Sequence, residues 1–287
     1  MNRRRFLSIA GAFAGWAGGV GETFAFSRSD SIDALVLVDL DGGNDGLNTV
    51  IPYADPRYRA LRPNLALSRE QVIPLDERTA LHPSLLPLMS AWRANELAIV
   101  QGVGYDGPNR SHFRSRQIWD TASHADEYRL DDWLARTSAA SFDDAARCIT
   151  AHSAQDGLNV IQLTLHGFDT HENQAHRHAV LLARFAEGLA WLRTALIASG
   201  AWRRTLVMTR SEFGRSAREN AAGGTDHGAA APHFLMGGNV RGGLFGMPPR
   251  LARLDADGGV PVGIDFRRLY ANAHGAAGIE PLQLLRA

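Results

Sequence analysis

Four segments of this 287-residue chain gather side chains that do hydrolytic or metal chemistry, and each follows a run that reads as a β-strand. They are Asp41-Gly-Gly-Asn-Asp45-Gly-Leu-Asn48, then Gly104 to His112 with Asn109-Arg110-Ser111 inside it, and then His166-Gly-Phe-Asp169-Thr-His171-Glu-Asn-Gln174. The fourth is Ser211-Glu212-Phe-Gly-Arg215, followed by Gly223-Gly-Thr-Asp226-His227-Gly228. Asp169 and His171 give the strongest local metal signal, because residues two apart on an extended strand end point the same way. His227 sits in a glycine-flanked loop that no packing argument requires, so it reads as a functional histidine, with Asp226 beside it as a further carboxylate or a loop cap. Asp45 reads either as a turn former bonding its own backbone or as a hard carboxylate ligand at the end of the first strand, with Asp39 and Asp41 as competitors. Ser111 precedes a predicted helix and is either its N-cap or an attacking hydroxyl. Arg110 and Arg215 are candidates for bidentate binding of anionic oxygens, and Glu212 is either a ligand or the salt-bridge partner of Arg215. His176 and His178 either reach back toward His171 or face water. Such a set offers enough oxygen and nitrogen donors for one or two divalent ions, zinc, manganese or calcium among them.

Composition narrows the chemistry further. Lysine is absent, so all 30 basic residues are arginine, which removes Schiff-base, pyridoxal-phosphate and P-loop lysine mechanisms. The lone cysteine, Cys148, excludes an internal disulfide and any multi-cysteine zinc or iron–sulfur site. No Gly-x-Gly-x-x-Gly follows a strand, which argues against a dinucleotide oxidoreductase. The 30 basic residues balance 30 acidic ones, so no whole-chain field would draw the protein to nucleic acid.

Apolar periodicity supplies the elements that must hold these side chains. Buried strands are predicted over 34–40, 97–103, 159–165 and 205–209, with a weaker one over 233–236, and helices over 83–94, 112–121 and 179–199. This alternation implies an α/β fold with a largely parallel sheet sandwiched by helices. In such sheets ligands bind outside the carboxyl ends of the strands, which puts the polar segments on one rim. The glycine- and proline-rich stretch 237–261 reads as a surface loop rather than a domain boundary, so residues 31–287 are expected to form a single domain. Ahead of it, Asn2-Arg-Arg-Arg-Phe-Leu7 and a glycine-rich, weakly apolar stretch look like a twin-arginine export signal over 1–25. That stretch is too short to span a membrane. Export through the twin-arginine machinery to the periplasm or envelope, without a stable membrane span in the mature chain, is the expectation. Removing residues 1–25 leaves 27 basic against 29 acidic residues, a net charge of about −2.

Seven ordered motifs, at 42–53, 81–85, 109–115, 168–174, 211–215, 223–228 and 265–270, resemble the bacterial domain of unknown function 1501 family. Its members are exported proteins, similar in turn to the alkaline phosphatase and sulfatase superfamily, an α/β sandwich with metal at the strand ends. The resemblance implies that Asp45 is the first-strand metal ligand and Ser111 the hydroxyl at the nucleophile helix. It implies that Asp169 and His171 share one metal, that Glu212 replaces an aspartate ligand and that His227 is the late histidine ligand. The chemistry implied is metal-dependent hydrolysis of a phosphate or sulfate ester, with a small anionic ester or glycan as substrate. Three departures stand against it. Glu212-Phe213 replaces a frequent Asp-His pair, no Cys- or Ser-x-Pro-x-Arg sulfatase motif surrounds Ser111, and the segment 122–157 is short. The missing motif argues against formylglycine chemistry, while the missing Asp-His pair, the short segment and a cap role for Ser111 favour the alternative of a non-catalytic envelope protein that keeps the fold and binds a metal, a glycan or a protein partner.

Overall fold

A computed structural model of the protein describes residues 32–129, 136–152 and 157–276; the expected export signal lies outside the described residues. The strands are β1 (Ala34–Asp41), β2 (Val50–Ile51), β3 (Ile73–Pro74), β4 (Ala80–Leu81), β5 (Leu97–Gly104), β6 (Thr137–Ala139) and β7 (Asn159–His166). They continue with β8 (Thr205–Arg210), β9 (Arg215–Glu219), β10 (Thr225–His227), β11 (Ala231–Met236), β12 (Gly243–Gly246) and β13 (Ile264–Asp265). Four helices of ten residues or more occur among the described residues: α1 (His112–Thr121), α2 (Phe142–Ala151), α3 (Gln174–Ala198) and α4 (Arg267–Ala276).

An eight-stranded sheet runs in the order β12-β5-β11-β8-β1-β7-β6, with β13 also on β5. Every pairing in it is parallel except those of β11, which runs antiparallel to both β5 and β8. The fold is therefore the α/β class expected, with a mostly parallel sheet between helices. β1 shows why its run is continuously apolar: Ala34, Val36, Val38 and Leu40 enter one core, and Leu35 and Leu37 enter the other. α2 and α3 cover the first face, while α1 and α4 cover the second through Ile118, Trp119, Phe266 and Leu269. A small three-stranded sheet, β2-β4-β3, packs with Tyr58, Leu251 and Val260 around a third cluster. Among the described residues no helix is long and apolar enough to cross a membrane.

The predicted strands and α1 are found within two residues of their expected bounds. Three differences have physical causes. Helix α3 starts at Gln174 rather than 179, because its buried stripe opens with two polar residues, Gln174 and His178, before Leu182, Phe185 and Leu189 continue the spacing. The segment predicted as a helix over 83–94 winds as a 3-10 helix over Pro83–Leu88, with Pro87 inside, and only then as an α-helix over Met89–Arg93. The expected loop 237–261 contains β12, a short edge strand whose Leu244 and Phe245 lie beside Ile99 and Val100.

Strand direction then explains the rim. β1, β5, β7 and β8 all end on the same edge of the sheet, and β11, being antiparallel, begins there. Strand β10, which leads into β11, therefore delivers His227 to the edge where the other polar segments emerge, so the expected loop histidine lies at a strand end.

Candidate metal centre

The residues at this edge converge because the loops carrying them touch through backbone. Gly42 adopts φ +120°, and a Cβ there would lie 2.2 Å from the backbone nitrogen of Asp169. A Cβ on Gly224 would lie 2.2 Å from the carbonyl carbon of His171, so the loop after β7 and the β9–β10 turn meet at a distance that excludes a side chain. Thr225 N donates to the Thr170 carbonyl at 3.2 Å across that contact.

His112, Asp169 and His227 bring one ligand atom each within 4.8 Å of one another, and His171 joins them. His171 Nε2 lies 2.9 Å from His227 Nε2 and 3.1 Å from Asp169 Oδ1. His227 Nε2 is 3.3 Å from the same carboxylate oxygen, and His112 Nε2 is 3.5 Å from Asp169 Oδ2. The opposite nitrogen of each ring is occupied. His112 Nδ1 faces Glu212 Oε1 at 2.8 Å, His227 Nδ1 faces the Arg110 carbonyl at 2.8 Å, and His171 Nδ1 faces Asp226 Oδ1 at 3.3 Å. Carboxylates and carbonyls only accept, so each Nδ1 donates, and the Nε2 atoms of the three rings turn toward the Asp169 carboxylate. Burial pushes the His227 pKa down, the Arg215 charge adds to that, and the ring is thus held neutral.

Three imidazole Nε2 atoms and a carboxylate oxygen turned toward one another make a donor set that a divalent cation would join. The distances also suit one, because donors about 2.0–2.1 Å from a tetrahedral zinc stand about 3.3 Å apart. The residues therefore fit a divalent ion of the nitrogen-and-oxygen-liganded kind, with Glu212 and Asp226 as the outer acceptors that orient the imidazoles.

The expected site residues separate into those inside this group and those outside it. Asp169, His171 and His227 form it. Glu212, expected as a ligand, is buried; Oε1 accepts from Gly42 N and Oε2 from Gly43 N as well as the contact with His112, so it backs the histidine instead. Asp226, also expected as a ligand, takes His171 Nδ1 and Asn220 Nδ2. Asp45 lies elsewhere: it caps the short helix Gly46–Thr49, and its fully buried carboxylate pairs with Arg62 at 2.6 Å. Burial would raise that carboxyl, but the Arg62 charge and hydrogen bond hold it below its usual range.

Arg215 departs most from the expectation of anion binding. It is buried, and its guanidinium donates to the carbonyls of Gly42, Gly43, Phe168 and Thr225 and to Asp169 Oδ1 at 2.5 Å. Burial pulls the Asp169 carboxyl up, and the Arg215 hydrogen bond and charge more than reverse this, keeping it ionised. Arg110 turns to Asp257 at 3.2 Å and Asp255 at 3.7 Å.

Ser111 is exposed at the start of α1, and its hydroxyl makes no cap hydrogen bond, so the N-cap reading of its side chain is not realised. It stands in the chain between Arg110, whose carbonyl accepts from His227 Nδ1, and His112. His176 is exposed, and His178 is buried against Asn44 Oδ1 at 2.9 Å, away from the group. His112 was the residue that spacing alone did not single out. It lies in the segment after β5, and strand-end position was the signal available for it. Beside Glu212 a polar cavity of about 240 Å3 opens between Asp39, Asp41, Arg116, Asp120, His166 and Arg210.

A family model described as "Protein of unknown function (DUF1501)" matches residues 119–286, more than half of the chain. No curated protein matches it. Among solved structures it is similar to a protein in the alkaline phosphatase superfamily from Vibrio parahaemolyticus, at 8% identity and TM-score 0.38, covering 85% of this chain and 71% of that one. It is also similar to the C-terminal periplasmic domain of EcEptC from Escherichia coli in complex with Zn, at 10% identity, TM-score 0.39 and 78% of each chain. The lipoteichoic acid synthase LtaP from Listeria monocytogenes matches at 12% identity and TM-score 0.32, over 84% of this chain and 72% of that one.

Proposed function

The chain belongs to the DUF1501 family of proteins of unknown function, and from that premise we propose that it is an exported, metal-dependent hydrolase of phosphate or sulfate esters. One observation carries the reading: His171 Nε2 and His227 Nε2, each with its Nδ1 turned to an oxygen acceptor, face one another at 2.9 Å beside the Asp169 carboxylate. His112, Asp169, His171 and His227 would hold the ion. When bound, it would polarise the ester and lower the pKa of the attacking group.

The chain's own part is positional. Ser111, next in the chain to His112, offers a hydroxyl free of capping duty. As its oxygen bonds to phosphorus or sulfur, the ester's bond to the alkoxide breaks, the proton lost from Oγ reaches that alkoxide through solvent at this exposed edge, and water then cleaves the seryl ester and restores the hydroxyl. Arg215 keeps Asp169 ionised rather than meeting substrate, and the cavity beside Glu212 gives room for the rest of the molecule. The motifs shared with exported proteins support an extracytoplasmic location.

A second reading, a non-catalytic envelope protein with a structural metal, is favoured by the engagement of both candidate arginines. Arg215 is spent on backbone carbonyls and Arg110 faces Asp255 and Asp257, so neither is set to grip an ester. Turnover of aryl phosphate and aryl sulfate esters, measured with the zinc- or manganese-loaded protein and with Ser111→Ala and His227→Ala, separates the two. The hydrolase reading expects turnover that both substitutions abolish; metal binding without turnover of any ester would establish the second reading instead.

A further inference from the structure

The loop after β7 carries Asp169 and His171, and the β9–β10 turn and strand β10 carry Asp226 and His227. Between these two pieces, beneath the proposed metal group, lies one buried side-chain amide. Gln174, the first residue of α3, is fully buried. Its Oε1 accepts from Thr170 Oγ1 at 3.1 Å and from Thr225 Oγ1 at 2.6 Å, and its Nε2 donates to Asp45 Oδ2. Thr170 separates Asp169 from His171, and Thr225 directly precedes Asp226 and His227. One carbonyl oxygen thus ties together the two pieces of backbone whose imidazoles stand 2.9 Å apart.

The orientation of that amide is dictated from behind. Asp45 is an acceptor only, so the NH2 end must turn to it and the oxygen must turn to the two hydroxyls. Asp45 is itself fixed by Arg62, which also donates to Asn48 Oδ1 and to the carbonyls of Ser216 and Ala217 on β9. Gln174 is also anchored by backbone, its N–H donating to the Gly223 carbonyl at 2.9 Å.

We infer that Gln174 is a positioning residue, which, held in register by Asp45, sets the separation of His171 and His227 and so shapes the ion site. This gives Asp45 a role at the site without contact with the ion, and it rests on the metal reading above. Its nearest competitor is a purely structural role for a satisfied buried network, which would move stability and leave the site alone.

Two measurements on the full-length exported protein and its Gln174→Leu and Thr225→Val variants decide between them. The first is cobalt(II) titration, reading affinity by chelator competition and the d–d absorption of the bound ion. Both variants are expected to bind at least about 10-fold more weakly, with an altered spectrum, as for other groups that orient ligands from the outer shell. The second is hydrogen exchange in the metal-free protein, where the Thr225 amide, bonded to the Thr170 carbonyl, is expected to exchange faster in both variants. Thr225→Val keeps side-chain shape and leaves Gln174 and Asp45 in place, so it serves if Gln174→Leu does not fold. Wild-type affinity and spectrum in a folded variant would overturn the positioning role while leaving the metal reading intact. Failure of the wild type to bind cobalt would overturn the metal reading, and unchanged exchange of the Thr225 amide would then overturn the clamp as well.

Discussion

At the scale of single residues, the proposed centre depends on acceptors that do not touch the ion. Glu212 is the most buried of these, and its oxygen on His112 Nδ1 fixes both the tautomer and the orientation of that ring. Glu212→Gln removes the charge and sets an amide NH2 against the Gly42 or Gly43 N–H groups. Metal affinity is expected to fall about 10–100-fold, read by competition with a chelator of known strength; an unchanged affinity would show that His112 is oriented by something else. Asp169, His171 and His227, which the structure brings together, were legible because strand-end spacing and a histidine that no packing argument requires are visible in one dimension. The sequence could not separate Glu212 and Asp226 from ligands, since a carboxylate bonding an imidazole edge and one bonding a metal are the same residue type at the same strand end. Arg215 failed differently, because nothing in a linear pattern reveals that four carbonyls from three distant segments close around one guanidinium.

Among the elements, strand polarity and loop contact do the positioning. The run at 233–236 was legible as a strand, but its antiparallel direction was not, and that direction is what brings the preceding strand β10 to the polar edge. The early start of α3 was hidden because polar Gln174 and His178 occupy its buried stripe, and these two residues belong to the network behind the centre. Gly224 provides a test at this scale. With only 2.2 Å between a prospective Cβ and the His171 carbonyl carbon, backbone must move, and Gly224→Ala is expected to part the two loops. Circular dichroism should retain the native α/β signature while metal binding is lost at concentrations that saturate the wild type. Full binding by a folded Gly224→Ala protein would contradict the account of how the loops are held.

For the molecule as a whole, the buried histidines govern acid stability. Burial drives the pKa values of His82, His178 and His233 from the ordinary 6.5 down to about 4. Between those values the unfolded chain binds protons that the native chain does not, so stability falls as pH drops through that window and is unaffected by these groups above it. Each contributes a slope of up to about 1.4 kcal/mol per pH unit there. Asp45, whose carboxyl is depressed, adds to the loss only below its ordinary value of 3.8. Urea midpoints of the metal-free protein should therefore be lower at pH 5 than at pH 7, and equal midpoints would contradict the burial of these rings as neutral groups. The central claim, that the confronted imidazoles hold a divalent ion, is tested most directly by elemental mass spectrometry of protein purified after export without added metal, beside His227→Ala. The account predicts near-stoichiometric metal in the wild type and its loss in the variant; two metal-free proteins of equal stability would contradict it.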